Sequence, residues 1–149
     1  ADPMLCMIDR ITGYIPTGGS NGLGWIRAEK DVDPGEWFFK AHFFQDPVQP
    51  GSLGIEAMIQ VLQWYMIEQD LGKDYTKPRF TCLGLKQSMQ WRYRGQVVPE
   101  NKVITTTMDI LEVGKDDVGI FARANASLWV DGKRIYETMD MRIHIVDDQ

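Results

Sequence analysis

The stretch that decides the fold is residues 52–69, SLGIEAMIQVLQWYMIEQ. Its side chains are apolar at most positions, so a helix built from it has almost no polar face, and such helices are buried. Ser52 is a suitable N-cap, and Gly72 offers a stop after the last turn. We therefore predict one long buried helix here, around which the rest of the chain packs.

The segments on either side of this helix predict β-strands, because they are rich in Val, Ile, Thr and aromatic residues and several alternate in polarity. The predicted strands are residues 4–15, 23–32, 79–93, 102–113, 118–130 and 134–146. Asp131-Gly132 favours a type I′ hairpin turn between the last two. This order of elements predicts an α+β fold in which a curved antiparallel sheet wraps the helix.

One long segment fits neither pattern. Residues 36–50 follow the Asp33-Pro34-Gly35 turn, contain two prolines and many aromatic residues, and show no steady period, so we expect an irregular loop. A loop of this length inside a compact domain is usually functional.

Composition narrows the class of protein. The chain has 149 residues, 44% of them hydrophobic, and no repeat or linker, so we expect a single domain over residues 1–149. A net charge of −5 gives no support for a nucleic-acid partner. No signal peptide and no apolar run near ~20 residues are found, which favours a cytoplasmic protein without a membrane contact. The abrupt start, Ala-Asp-Pro-Met-Leu, suggests a domain cut from a longer chain.

The two cysteines do not indicate a metal site. Cys6 and Cys82 lie far apart in the sequence, and we expect both to be buried thiols in a reducing compartment. Nothing in the sequence resembles a site for a metal, a flavin or a nicotinamide, so no cofactor is expected.

Of the two histidines, only His42 is a candidate for chemistry. His144 alternates with Ile143 and Ile145 in the predicted final or edge strand and is given no role, since such a residue is usually structural or solvated. His42 lies in the irregular loop just before the helix. A helix N-terminus presents unpaired N–H groups and a positive dipole end, which suit a developing oxyanion.

Glu56 is the second candidate, because it is the only acidic residue of the predicted helix before Glu68. Its carboxylate either complements the helix dipole or is a partnered, functional group, since burying it unpaired is costly. Gln60, four residues on, lies on the same helix face and is in reach for a hydrogen bond. The residues alone leave both interpretations of Glu56 open.

A motif around these residues resembles a known family. Residues 37–58, WFFKAHFFQDPVQPGSLGIEAM, contain the pattern H-F-x-x-D-P-V-x-P-G-x-L-G-x-(D/E) of the β-hydroxydecanoyl-thioester (β-hydroxyacyl-ACP) dehydratases. Residues 4–10, 95–99 and 130–136 are similar to other parts of that family, so the resemblance covers residues 4–146. It is strongest to the dehydratase domains of polyunsaturated fatty acid synthases.

The resemblance implies a hot-dog fold and a set of site residues. His42 would remove a proton from C2 of a β-hydroxyacyl thioester, and Glu56 would protonate or orient the departing C3 hydroxyl. The Gly51 N–H would hold the thioester oxygen, Gln60 would position the acid, and the Val48 carbonyl would fix the His42 tautomer. The residues expected along the acyl tunnel are Phe43, Pro50 and Met58.

The resemblance also implies partners. The substrate would arrive on an acyl carrier protein, and the histidine and the acid would meet across a homodimer or across a pair with another hot-dog domain. Glu56 stands where isomerising members have aspartate, Gln49 where methionine is usual and Ser52 where cysteine is common. These departures leave double-bond isomerisation open. Two alternatives remain, a hot-dog thioesterase and a non-catalytic hot-dog partner domain.

Overall fold

The computed structural model describes residues 6–37, 39, 51–81 and 90–148. In this part of the chain, one long helix lies against a seven-stranded sheet. The helix, α1, is Gly51–Glu68. The strands are β1 (Arg10–Ile15), β2 (Trp25–Asp31), β3 (Pro78–Thr81), β4 (Gln90–Tyr93), β5 (Val103–Lys115), β6 (Ile120–Val130) and β7 (Lys133–Asp147).

All neighbouring strands of the sheet are antiparallel, in the order β1-β2-β5-β6-β7-β3, and β4 also pairs with β7. Packing of α1 against β2, β5, β6 and β7 places the helix across the middle of the sheet. The predicted α+β arrangement is confirmed, and it is consistent with the hot-dog fold. No helix among the described residues is both long and apolar enough to cross a membrane.

Alternation along the strands separates the two faces of the sheet. Alternate side chains of β5 and β6 are buried and point towards α1, whereas those between them are partly exposed. Leu62 and Met66 of the helix are fully buried in this core, and burial of one such side chain is worth about 1.5–3 kcal/mol. Burial of the helix within the curved sheet is thus the main stabilising interaction of the fold.

The ends of α1 differ from the prediction. The helix begins at Gly51, so Ser52 lies within its first turn and is not the N-cap. It ends before Gly72, because Asp70 adopts a left-handed conformation (φ 52°). The N–H of Leu71 donates to the carbonyl of Met66 (3.1 Å), and that of Asp70 donates to Ile67 (2.9 Å). This Schellman arrangement closes the helix two residues before the predicted stop.

The type I′ turn is confirmed, since Asp131 and Gly132 both have positive φ (49° and 86°) and connect the paired residues Val130 and Lys133. The Asp131 carboxylate also accepts hydrogen bonds from the N–H groups of Val103 and Lys102 (both 3.0 Å), and these lower the pKa of Asp131. The turn therefore also fastens the start of β5.

The single strand predicted over residues 79–93 is wrong. Thr81 and Gln90 are nine positions apart in the chain, but their partners on β7, His144 and Met139, are only five apart. One regular strand cannot satisfy both pairings, so β3 and β4 are separate strands along the same side of β7. Residues 82–89, which include Cys82, lie outside the described residues.

The opening strand is shorter than predicted, since β1 begins at Arg10 rather than at residue 4. Met7 uses its backbone N–H to bind a side chain of α1, whereas the N–H of Asp9 donates to the carbonyl of Glu29 in β2 (2.9 Å). The segment ahead of β1 therefore joins the helix to the sheet. Cys6 is exposed, which corrects the expectation of a buried thiol there. Its Sγ lies 3.2 Å from the carbonyl oxygen of Ile8.

The segment predicted as an irregular loop starts with helical geometry. Trp37 and Phe39 are helical, and the N–H of Phe39 donates to the carbonyl of Glu36 (3.1 Å). The Asp33 carboxylate accepts the N–H of Gly35 (2.8 Å), two residues on, which is the geometry of an Asx turn. That turn therefore follows β2 and precedes the helical residues. Residues 40–50 lie outside the described residues.

Candidate active site

The candidate acid, Glu56, is the sixth residue of α1 and is half-buried. The first turn of the helix contains no acidic residue, and the effect of a helix dipole falls off within that turn. The helix dipole therefore contributes little at Glu56, and the first of the two interpretations of this carboxylate is weakened. Gln60 Nε2 donates to Glu56 Oε1 at 3.2 Å, so the contact expected from the four-residue spacing is confirmed.

Gln60 is itself held by the backbone ahead of β1. Its Oε1 accepts the N–H of Met7 at 2.8 Å. That bond fixes the orientation of the amide, because only the amide oxygen accepts a hydrogen bond, and the NH₂ group is thereby directed at Glu56. Oε1 of Glu56 is then an acceptor, so a proton on this carboxyl group is directed to Oε2. Sequence reasoning missed Met7, which lies 53 positions from Gln60.

The N-terminal end of α1 packs unusually close to the sheet. A Cβ atom added at Gly54 would lie 1.9 Å from Cε2 of Tyr136, so only glycine allows this approach. Gly51 is the first residue of the helix, and its N–H belongs to the turn whose donors have no partner within the helix. The oxyanion role of Gly51 stays a prediction. The motif contained Gly54, but sequence reasoning gave neither Gly54 nor Tyr136 a part.

Met58 faces the sheet rather than an open channel in the single chain. It is fully buried, and the Thr138 hydroxyl donates to its Sδ (3.4 Å). Its assignment to the acyl tunnel stays a prediction. Four of the predicted site residues lie outside the described residues, and these are His42, Phe43, Val48 and Pro50. Their roles stay predictions.

An ion pair anchors the segment that leads to the motif. Lys30 of β2 is 8% exposed, points to the helix side of the sheet and binds Glu36 (Nζ–Oε1 2.9 Å). Phe39, three residues further on, is also buried. A buried charge needs such a partner, so Glu36 and the start of residues 37–58 are held against the sheet. Sequence reasoning missed this pair, which joins a strand residue to a turn residue.

His144 does not contact these groups, and its own contacts are those of a structural residue. It is 3% exposed, and its Nε2 donates to Asp116 Oδ2 at 2.8 Å in the turn between β5 and β6. That hydrogen bond lowers the pKa of the Asp116 carboxyl to about 2, with help from the N–H groups of Gly119 and Val118. β7 is the last strand in sequence, but it lies inside the sheet and not at its edge.

Within the described ranges, no three His, Cys, Asp or Glu side chains converge as metal ligands do. The described groups that can act chemically at this end of the helix are one carboxyl group, its positioning amide and the first-turn N–H groups. This set can bind and protonate an oxygen, or hold a water molecule.

Comparison with known proteins gives the family. The model of the FabA-like domain matches residues 1–139. A polyunsaturated fatty acid synthase polypeptide of Thraustochytrium sp. (strain ATCC 26185 / S-3) is 32% identical over 142 residues, which are 95% of this chain. The chain spans only 9% of the length of that protein.

Solved structures support the fold alone, because their sequences are distant. The dehydratase heterocomplex ApeI:P from Xenorhabdus doucetiae matches with a TM-score of 0.63 at 13% identity, over 99% of this chain and 88% of that one. A hypothetical thioesterase from Streptococcus pneumoniae TIGR4, solved with coenzyme A, matches with a TM-score of 0.59 at 9% identity, over 93% and 85%.

The resemblance drawn from residues 37–58 is thereby confirmed. The family model covers most of the chain, and the relative from Thraustochytrium is similar along nearly all of it. This chain belongs to the family of FabA-like domains.

Proposed function

We propose that this chain dehydrates β-hydroxyacyl thioesters, carried on an acyl carrier protein, to 2-enoyl thioesters in fatty acid or polyunsaturated fatty acid biosynthesis. The observation that carries the proposal is the half-buried Glu56, alone among apolar neighbours on the helix and oriented by Gln60. A carboxyl group fixed in this way is the acid that departure of a hydroxyl group needs.

In the proposed reaction, His42 accepts the proton from C2 while negative charge develops on the thioester oxygen. The Gly51 N–H stabilises that charge, and one such donor is worth about 10²–10³ in rate. Glu56 donates its proton to the C3 hydroxyl, the C3–O bond breaks, and water leaves as the C2–C3 double bond forms. Histidine has a reference pKa near ~6.5, so it is suited to accept a proton around neutral pH.

The proposal includes a shared site. His42 of one hot-dog unit would act with Glu56 of another, either in a homodimer or with a second domain of a synthase. Trans-to-cis isomerisation of the product stays open, because it depends on the reach of the acid and the shape of the tunnel.

A thioesterase is the second candidate, since a hypothetical thioesterase is among the structural neighbours. In that reaction Glu56 would activate water for attack at the thioester carbonyl, and the product would be a free acid. The motif that includes His42 favours dehydration, because dehydration needs a base to remove the C2 proton, whereas hydrolysis of the thioester breaks no C2–H bond.

Product analysis separates the two reactions. The wild-type chain is incubated with a β-hydroxyacyl thioester, and the products are identified by mass spectrometry. We expect an enoyl thioester that has lost one water, and a loss of about 10²–10⁴-fold in rate for His42→Ala. His144→Ala is not a suitable control, because His144 is buried. A second variant, His42→Gln, is therefore measured as well. If its rate is lost while its circular dichroism spectrum is unchanged, unfolding does not explain the loss. A free acid product, or full turnover by both variants, would refute the proposal.

A further inference from the structure

The face of the sheet that points away from α1 carries an ordered set of side chains. The buried residues of β2, β5 and β6 alternate with partly exposed ones, and the partly exposed ones form this outer face. Strand pairing arranges them in three rows, each of which runs from β2 across β5 and β6 to β7. The first and last residues of the rows are Glu29 and Arg134, Arg27 and Glu137, and Trp25 and Met139.

The middle row ends in two opposite charges that cannot meet. Arg27 pairs in register with Thr107, Thr107 with Ser127, and Ser127 with Glu137. Three strand spacings separate β2 from β7, which is about 14 Å between their backbones. Arg27 is exposed and Glu137 is half-buried, and neither forms an ion pair in the described part of the chain.

The row on one side of it has the same complementarity with the charges exchanged. Glu29 stands on β2, and its ion pair with Arg10 is long, at 4.0 Å. Arg134 stands on β7, where its guanidinium lies 5.8 Å from the ring of Trp129 on the same face. An acid at the β2 end of this row is therefore matched by a cation at the β7 end.

The row on the other side is apolar at both ends. Trp25 is half-buried on β2, and Met139 on β7 is 39% exposed, which is unusual for a methionine within a sheet. Two shallow depressions of about 220 and 260 Å³ share Trp25 and Thr107 on this face and have room for side chains of another molecule. Tryptophan, methionine and arginine are enriched where proteins meet.

These three rows make the outer face complementary to itself. A second copy, related by a two-fold axis that runs parallel to the strands between β5 and β6, places its β7 over β2 and its β2 over β7. Arg27 then faces Glu137 of the second copy, and each contact occurs twice, as in an isologous interface. The axis lies about 7 Å from β2, so the crossing of about 30° between twisted sheets shifts facing residues by about 4 Å, less than the ~7 Å between rows.

We propose that the outer face is an interface between two copies of this chain, with reciprocal ion pairs between Arg27 and Glu137. The indole N–H of Trp129 already donates to the hydroxyl of Thr107 (3.1 Å), so covering the face does not leave it without a partner. Glu56 lies on α1, on the opposite side of the sheet. The interface thus joins catalytic units back to back, and it does not depend on the proposed function.

The test exchanges the charges of the middle row and measures self-association by sedimentation velocity. Arg27→Glu and Glu137→Arg each turn both ion pairs into like-charge contacts, so we expect the dissociation constant of the back-to-back assembly to rise by about 100-fold or more. Lys73→Glu makes the same change of charge as Arg27→Glu beyond the far end of α1, and we expect wild-type association. Added salt should weaken the association of wild type, because the pairs lie near the surface.

A mixture of the two single variants tests the two-fold geometry itself. When Arg27→Glu meets Glu137→Arg, both contacts regain opposite charges, so the mixture should form the assembly that neither variant forms alone. The double variant Arg27→Glu/Glu137→Arg carries both changes in one chain and should also associate as wild type does. It keeps the test decisive if one single variant does not fold.

Three results would overturn the interface. The first is association of Arg27→Glu equal to that of wild type. The second is a mixture and a double variant that both stay at the size of the single variants. The third is an equal loss for Lys73→Glu, which would indicate a general effect of charge.

Discussion

At the residue scale, the contact between Glu56 and Gln60 follows from the sequence, because residues four apart on a helix share a face. The bond from Met7 to Gln60 does not, since nothing local in the sequence indicates that Met7 meets the helix. The same holds for His144 and Asp116, which are 28 positions apart and meet only because β5, β6 and β7 pair. Side chains joined through the tertiary fold are the part of the site that local patterns cannot predict.

The amide of Gln60 is expected to matter for catalysis rather than for folding. Gln60→Leu removes the donor to Glu56, and a hydrogen bond between neutral groups is worth about 0.5–1.5 kcal/mol, so we expect kcat to fall by about 2–10-fold. Gln63→Leu on the same helix is the matched control, because no hydrogen bond of its side chain is found in the described part of the chain. Equal kcat values for the two variants would show that Gln60 does not position the acid.

The pair of Asp116 and His144 predicts a dependence of stability on pH. The pKa of Asp116 is about 2 in the folded protein, below the ~3.9 of an unfolded chain, so its stabilising effect is complete above about pH 4 and is lost as the pH falls towards 2. We expect the difference in free energy of unfolding between wild type and Asp116→Asn to shrink from pH 5 to pH 2, as measured by urea denaturation. A difference that stays constant over this range would contradict the assignment. Asp117→Asn, in the same turn, serves as the control.

At the element scale, the long helix and the Asp131-Gly132 hairpin were predictable because each has a strong local signal. The helix ends were not, since Asp70 rather than a glycine adopts the left-handed conformation that stops α1. The strand predicted over residues 79–93 was also wrong, because register against β7 is set by the whole sheet. Local propensity identifies an element here, and tertiary pairing sets its limits.

The close approach of α1 to β7 predicts a specific sensitivity. Gly54→Ala places a methyl group where the Tyr136 ring lies, so the helix end or the ring has to move, and overpacking of this kind costs about 1–3 kcal/mol. Thermal unfolding should detect the loss. Gly13→Ala in β1 is the control, because its Cβ would meet only ordinary contacts at 3.5 Å and beyond. An unchanged melting temperature for Gly54→Ala would mean that the first turn does not pack as tightly as described.

At the scale of the whole molecule, three contacts hold the first half of α1 and the segment that leads to residues 37–58. Met7 ahead of β1 binds Gln60, Glu36 after β2 binds Lys30, and Tyr136 of β7 packs on Gly54. The sequence predicted the class of fold, but it did not predict the strand order that makes these contacts. Two of these contacts hold residues 54 and 60 of α1, and the ion pair of Glu36 holds the start of residues 37–58. The candidate acid and base are expected to act on these two segments.

The most direct test of the dehydratase proposal is the turnover number of Glu56→Gln, which keeps the size of the side chain and removes its proton. Glu68→Gln, on the last residue of the same helix, makes the same chemical change away from the candidate site. With β-hydroxyacyl thioester as substrate and enoyl thioester as the measured product, we expect kcat to fall by about 10²–10⁴-fold for Glu56→Gln and to stay unchanged for Glu68→Gln. Wild-type turnover by a folded Glu56→Gln variant would contradict the account.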